Sequence, residues 1–258
     1  LRAVVEVETR DARFIKWCQE RYPLHRYERS APIMHHLRAI KSEKEIELLR
    51  KACDITELGF RRLLQFIQPG VMEYEVEAEL YHEFIRNRSR GPAYSSIIAS
   101  GENACILHYT DNSRECKDGD LLLLDVGAEY ANYAADMTRT VPVNGKFTKR
   151  QREVYDAVLR VMKAATQMLV PGNSLDQYHK FVGTVMENEL IGLDLLHASD
   201  VRNQDPANPL YKKYFMHGTS HHLGLDVHDV GSKYRAFEEG MVFTCEPGIY
   251  IREEGIGV

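Results

Sequence analysis

Four side chains with hard donor atoms stand beside apolar runs of this chain: Asp125, Asp136, His221 and Glu246. Asp125 ends the run Leu-Leu-Leu-Leu-Asp-Val-Gly, and Asp136 comes 11 residues later, across a predicted hairpin. A carboxylate after four leucines is costly to bury unless a hydrogen bond or a cation compensates it. Alone, such an aspartate is more often a hydrogen-bonded structural residue, and Asp136 alone reads as a surface residue. Antiparallel hairpin strands that bring both to one side of a sheet are required by neither of those readings. Glu246 lies in Thr-Cys-Glu-Pro-Gly, where by itself it reads as a turn residue. Two aspartates, a glutamate and an imidazole suit a hard or borderline divalent cation, and favour Mn over zinc, which prefers thiolate. Cys245 adjoins Glu246, but strand alternation points it to the opposite face. Clustered cations need about four carboxylates to offset their charge, and can hold a bridging hydroxide at neutral pH.

His221 belongs to a dense segment, His217-Gly-Thr-Ser-His-His-Leu-Gly-Leu-Asp-Val-His228. Gly218 and Gly224 argue against a long helix, and no glutamate separates His217 from His221, so a helical His-Glu-x-x-His zinc site is excluded. Structural histidines beside a loop are the plainer alternative. His108, in Cys-Ile-Leu-His-Tyr-Thr, lies 11 residues before Gly119, and His228 lies 12 before Gly240.

That spacing is part of an internal repeat. Gly119 precedes Asp125 by six residues and Gly127 by eight; Gly240 precedes Glu246 by six and Gly248 by eight. Leu64-Gln-Phe-Ile-Gln-Pro-Gly70 resembles Thr166-Gln-Met-Leu-Val-Pro-Gly172. A duplicated half-domain accounts for both pairs. Each half reads as helix, Pro-Gly, helix, strands. Ser42-Glu-Lys-Glu45 has capping-box spacing, and Ile46, Leu49, Cys53, Phe60, Leu63 and Ile67 continue at helical intervals. A second helix is expected over Glu73 to Asn87. Thr148-Lys-Arg-Gln151 opens a third, and a fourth starts near Leu175. Strands are expected over Ser95–Ser100, Leu121–Ala128, Ala135–Val143 and Met241–Ile251. The polar stretch His197–Lys213 reads as a surface excursion. Ahead of these, Val4–Val7 reads as a short strand and Asp11–Arg21 as a helix, and Pro23 and Pro32 break the stretch between that helix and residue 35.

The 258 residues are 44% hydrophobic and 28% charged, as a water-exposed globular chain is. A net charge of −5 offers no basic face for nucleic acid. No apolar run reaches the ~18 residues of a membrane span. Five scattered cysteines without a Cys-x-x-Cys pair fit a reducing, cytoplasmic compartment.

The ordered motifs Leu-Asp-Val-Gly, Ala-Asp-Met-Thr-Arg-Thr, His-Gly-Thr-Ser-His-His-Leu-Gly-Leu-Asp-Val-His-Asp and Glu-Pro-Gly-Ile-Tyr resemble the pita-bread metallopeptidases. Within them the chain is most similar to the bacterial Xaa-Pro aminopeptidases, and Ser220 fits that group better than the prolidases. The resemblance runs from about residue 37, through Leu-Arg-Ala-Ile-Lys-Ser-Glu-Lys-Glu-Ile, to Val258. It implies an α+β pita-bread fold: duplicated half-domains with a curved, mostly antiparallel sheet covered by helices. It implies two divalent metal ions, most simply Mn, held by Asp125, Asp136, His221 and Glu246, with Asp136 bridging. His108, His217 and His228 would line the substrate pocket, with His228 donating to the developing oxyanion and Tyr250 facing the same cleft. Glu246 would manage the proton of a metal-bridging hydroxide that attacks the bond before a proline in second position. Prolidase activity, or a non-catalytic binding role, is the alternative. Residues 1–36 are then expected to be the remnant of an N-terminal domain plus a linker, and 37–258 a catalytic domain cut short. The repeat places a further carboxylate just past Val258, so the fragment alone is expected to be impaired. A homo-oligomer is expected of the parent.

Overall fold

The structure, a computed structural model, describes residues 7–258. The strand expected over Val4–Val7 falls outside them apart from Val7, which is irregular. The segment ahead of the repeat carries two helices, α1 (Arg10–Arg21) and α2 (Ala31–Ala39). Thr9 caps α1 by accepting from the Ala12 amide, yet no residue of α1 is buried.

Both halves of the repeat begin in the same way. Helix α3 (Glu43–Phe66) opens with a reciprocal capping box between Ser42 and Glu45, and α5 (Lys149–Thr166) with one between Thr148 and Gln151. Each box satisfies amide groups that a helix start otherwise leaves unpaired. Partner helices come next, α4 (Glu73–Arg86) and α6 (Leu175–Gly192). The Pro-Gly turns between them match in detail: Gly70 and Gly172 have φ of 95° and 96°. Gly70 N–H donates to Cys116 O, and Gly172 N–H to Phe237 O, three residues before Gly119 and Gly240 respectively. Those two glycines in turn have φ of 86° and 87°, a left-handed conformation that side chains disfavour. The duplication read from spacing is thus a duplication of backbone geometry.

In the first half, β1 (Ile97–Ser100), β2 (Leu121–Val126) and β5 (Met137–Pro142) form an antiparallel sheet in the order β1-β2-β5. Strand β2 is buried on both faces, which is why it reads as an unbroken apolar run. Leu122, Leu124 and Val126 pack with Leu63, Leu80 and Phe84 of α3 and α4. Asp125 falls on the other face with Leu123, opposite Thr138 in the ladder. A small hairpin, β3 (Glu129–Tyr130) and β4 (Tyr133–Ala134), returns the chain to Asp136. At its base a Cβ on Gly127 would lie 1.9 Å from the Ala135 carbonyl oxygen, so only glycine permits this approach of the two aspartate-bearing segments.

The second half departs from its predicted strand. Regular pairing is confined to β6 (Tyr250–Ile251) with β7 (Ile256–Gly257). Residues 241–249 run antiparallel to 219–223 through Leu223 N–H to Val242 O, Thr244 N–H to His221 O and Glu246 N–H to Thr219 O. The return bonds of a regular ladder are taken over by side chains. His221 N–H donates to Thr244 Oγ1, and Ser220 Oγ donates to Thr244 O. The backbone is tied down without being a strand. Behind it, Val154, Val161, Tyr178, Met186, Leu190 and Ile249 form the second core. The polar excursion at 197–213 includes α7 (Ala198–Asn203) and a 3₁₀ turn (Leu210–Lys213), and has no buried residue.

Glu73, fully buried in the first turn of α4, positions the loop that carries His108. Its carboxylate accepts from Ser100 N–H (2.7 Å), Ser100 Oγ (2.8 Å), Tyr109 OH (2.7 Å) and Arg114 N–H (2.9 Å). Replacing Glu73 with Ala leaves these donors unpaired at ~1–3 kcal/mol each. Urea unfolding of Glu73→Ala is expected to register a loss of about 3 kcal/mol or more; a loss below about 1 kcal/mol contradicts this account.

Candidate metal centre

All of the side chains singled out in the sequence line one cleft of about 680 Å³. Three of them converge tightly: single donor atoms of Asp136, His221 and Glu246 lie within 4.8 Å of one another. His221 Nε2 is 3.3 Å from Asp136 Oδ2 and 3.1 Å from Glu246 Oε1. The opposite ring nitrogen, Nδ1, is 2.8 Å from the His222 carbonyl. A carbonyl only accepts, so Nδ1 carries a proton, and Nε2 is the nitrogen left to face the carboxylates. This is the orientation in which imidazole ligates a cation while its other nitrogen is anchored.

Asp125 is outside that tight triad and is joined to it by a residue the sequence did not flag. Tyr94 OH lies 2.6 Å from Asp125 Oδ1 and 3.1 Å from Asp136 Oδ1, bridging the two aspartates. Tyr94 precedes β1 in a Gly-Pro-Ala-Tyr loop, and nothing in its spacing marks it. Thr244 was also missed. Its Oγ1 donates to Glu246 Oε1 at 2.7 Å while accepting from His221 N–H. Here a signal existed, because Thr244 and Glu246 stand two apart and share a face. Cys245, between them, turns its sulfur toward Thr166 and Tyr178 on α5 and α6, as alternation required.

The remaining residues stand around this cluster. The His228 and His221 rings meet edge to face with centroids 4.3 Å apart. His217 Nδ1 donates to Gly218 O, and its Nε2 is hydrogen-bonded to Tyr250 OH at 2.8 Å. His108 sits in the cleft wall with a left-handed φ of 54°.

Electrostatics in the cleft are those of crowded carboxylates. Burial, and next the charge of Asp136, push the Asp125 carboxyl up to about 6, against the hydrogen bond from Tyr94. Burial alone would lower His221, but its bonds to Asp136 and Glu246 override this and raise it to about 10. Burial would raise Glu246, but His221 and Thr244 hold it below its ordinary value. Burial, then the charges of Asp125 and Asp136, drive the Tyr94 hydroxyl well upward, so it remains a donor. The donor set is hard, crowded and short of positive charge, with an imidazole already oriented. It fits divalent cations.

The profile of metallopeptidase family M24 matches residues 47–258. The chain is 48% identical over 240 residues to the Xaa-Pro aminopeptidase of Haemophilus influenzae, across 88% of this chain and 55% of that protein. It is 36% identical over 242 residues to the Xaa-Pro dipeptidase of Mus musculus, across 85% of this chain and 49% of that one. Among solved structures, aminopeptidase P from Escherichia coli with the inhibitor Pro-Leu superimposes with a TM-score of 0.90. It is 41% identical, and the match covers 98% of this chain and 62% of that one. The fold is therefore the α+β pita-bread fold of aminopeptidase P. The chain belongs to metallopeptidase family M24, a family of divalent-metal enzymes, and spans about half the length of the curated relatives it matches.

The two raised pKa values fix the sign of a pH dependence. A group whose folded pKa lies above its unfolded one contributes stability below the unfolded value and loses it as pH rises through the folded one. Without metal, Tm is expected to fall as pH rises from 3.8 to about 6, through Asp125, and again from 6.5 to about 10, through His221. Divalent cation must displace the His221 proton, so binding at pH 8 is expected to release about one proton per chain. Calorimetry in two buffers of different ionisation enthalpy measures it, and absence of proton release contradicts the assigned charge state.

Proposed function

We propose that the protein containing this chain is a metal-dependent aminopeptidase that cleaves the peptide bond between an N-terminal residue and a following proline. The observation that carries this reading is the convergence of Asp136, His221 and Glu246, extended to Asp125 by Tyr94, in a cleft faced by three further histidines. Residues 37–258 would be its catalytic unit. Asp125, Asp136, His221 and Glu246 would hold two divalent cations, with Mn favoured by the oxygen-rich donor set. Bound there, the cations would supply Lewis acidity toward the carbonyl and an acidified water at neutral pH.

The chain's own residues do the rest. Glu246, kept ionised by His221 and Thr244, is placed to take a proton and pass it to the departing nitrogen of proline. His228, packed against His221, is placed to donate to the carbonyl oxygen as charge builds on it. His217, fixed between Gly218 O and Tyr250 OH, presents a rigid wall, and His108 lines the same cleft. The substrate class, peptides with proline second, rests on the likeness to the Xaa-Pro peptidases rather than on any pocket contact. The five free cysteines support a reducing, cytoplasmic setting. Among the described residues no helix is long and apolar enough to cross a membrane. Nothing in the reading involves nucleic acid, and a homo-oligomer is proposed for the whole protein.

Likeness to a dipeptidase supports a second reading within the same chemistry, hydrolysis of Xaa-Pro dipeptides only. A non-catalytic role is disfavoured by the retained donor set. The full-length protein with Mn is expected to release the first residue from Xaa-Pro-Yaa peptides of three or more residues. Turnover of Xaa-Pro dipeptides alone would select the second reading, and no turnover of either would reject both. His228→Ala is expected to lower kcat by ~10²–10³ with KM little changed and metal content intact. A rise in KM at unchanged kcat would instead make His228 a binding residue.

A further inference from the structure

Two sequence motifs have residues that the chemistry above leaves without a role. One is the opening stretch with Arg38 and Lys41; the other is the last aspartate of the histidine segment, Asp229. They are 188 or more residues apart and meet in the core. The Asp229 side chain is 0% exposed and that of Lys41 1%, with Nζ 3.0 Å from Oδ2. Arg38, a quarter exposed, bonds Asp229 Oδ1 and reaches Asp226 Oδ2 at 2.7 Å. A Cβ on Gly224 would fall 2.2 Å from Asp229 Oδ2 and 2.9 Å from Lys41 Cε, so the histidine loop is wrapped directly on this pair.

Burial of such a pair adds little to stability, because desolvation offsets the attraction. What the pair holds is more informative. Asp229 N–H donates to the His222 carbonyl at 2.9 Å, and the same carbonyl accepts from His221 Nδ1 at 2.8 Å. One oxygen thus anchors both the clasp and the imidazole whose Nε2 faces the carboxylates. Lys41 N–H donates to Gly240 O, at the start of the segment bearing Glu246. Ala134 N–H donates to Gly224 O, two residues before Asp136.

We propose that Asp229, clamped by Lys41 and Arg38, is a positioning residue that fixes the His222 carbonyl and hence the ring of His221 and the neighbouring His228. The inference rests on the proposed role of His221 as a ligand, but its first readout does not. The helix junction ahead of the repeat is then part of the site although it touches no ligand.

The double variant Lys41→Met/Asp229→Asn removes both buried charges at once and leaves Arg38, a quarter exposed, paired with Asp226. With near-UV circular dichroism confirming the fold, two quantities are read: solvent exchange of the His221 Nδ1 proton by NMR in metal-free chain, and the Kd for Mn. Exchange at least tenfold faster and a Kd weakened ~10–100-fold are expected, with Lys41→Arg staying within about threefold of the parent on both, since it keeps the charge. A folded double variant within about twofold of the parent on both overturns the proposal. If the full-length protein itself binds no Mn, the metal-site reading fails, and positioning is decided by ring exchange alone. Should the double variant not fold, Arg38→Met, which removes only the part-exposed partner, is read by the same exchange measurement. Faster exchange supports the clasp, and unchanged exchange overturns it.

Discussion

Three carboxylates, those of Asp125, Asp136 and Glu246, are drawn into one part-buried cleft, and their mutual repulsion is the constraint that the rest of the fold answers. Two unit charges ~4 Å apart repel by about 4 kcal/mol at the effective dielectric of a protein site. The raised pKa of Asp125 is in part that repulsion expressed as a proton affinity, added to the effect of burial. Each carboxylate is met by a donor fixed from elsewhere: Tyr94 for the aspartates, Thr244 for Glu246, and His221 for Asp136 and Glu246 together. Of these donors only His221 carries charge, a single imidazolium set against three carboxylates. The site is left with an excess of negative charge held in place, and that is the physical case for a divalent cation as its natural complement.

The duplication explains how a chain of ordinary helices and short strands reaches this arrangement. Each half carries a capped helix pair, a Pro-Gly turn bonded to the same point of the following segment, and a glycine at matching φ before its carboxylate. Asp125 and Glu246 therefore enter the cleft from equivalent positions of two similar scaffolds. The halves differ where chemistry differs. The first half keeps a regular ladder, β2 with β5, with Asp125 inside it near one end and Asp136 just before β5. In the second, the equivalent ladder gives way to bonds from Thr244 and Ser220, because those side chains also orient His221 and Glu246.

This divergence also marks how far the sequence could be read. Helices α3 to α6 were legible because capping boxes and apolar periodicity are local signals, and both survive in the fold. Asp125 and Glu246 were legible because the repeat doubled a weak signal, Asp136 because a hairpin could bring it beside Asp125, and His221 because it stands in a dense histidine segment. The strand over Met241–Ile251 is shorter in the fold than its alternation implies: Thr244 Oγ1 takes the place of a ladder carbonyl and Ser220 Oγ that of a ladder amide, and no periodicity records that. Tyr94 and the Lys41–Asp229 pair were illegible for another reason. Their partners are brought by topology, across 31 and 188 residues, and their own neighbours in sequence carry no pattern that points there.

The placement of the charged pair bears on how the stretch ahead of helix α3 is tied to the site. Helix α3 could be capped by Ser42 and Glu45 without anything ahead of them. Lys41 is nevertheless drawn into the core, its amide on Gly240 and its ammonium on Asp229. The start of the first half is thereby fastened to the loop and segment that bear the second half's proposed ligands. Glu45 extends the fastening by accepting from Tyr133 OH at 2.9 Å, in the hairpin that leads to Asp136. Residues 38–45 bond to the segments carrying three of the four proposed ligands. A duplicated fold with a site at its seam needs such a cross-tie, since each half's own core fixes only its own carboxylates.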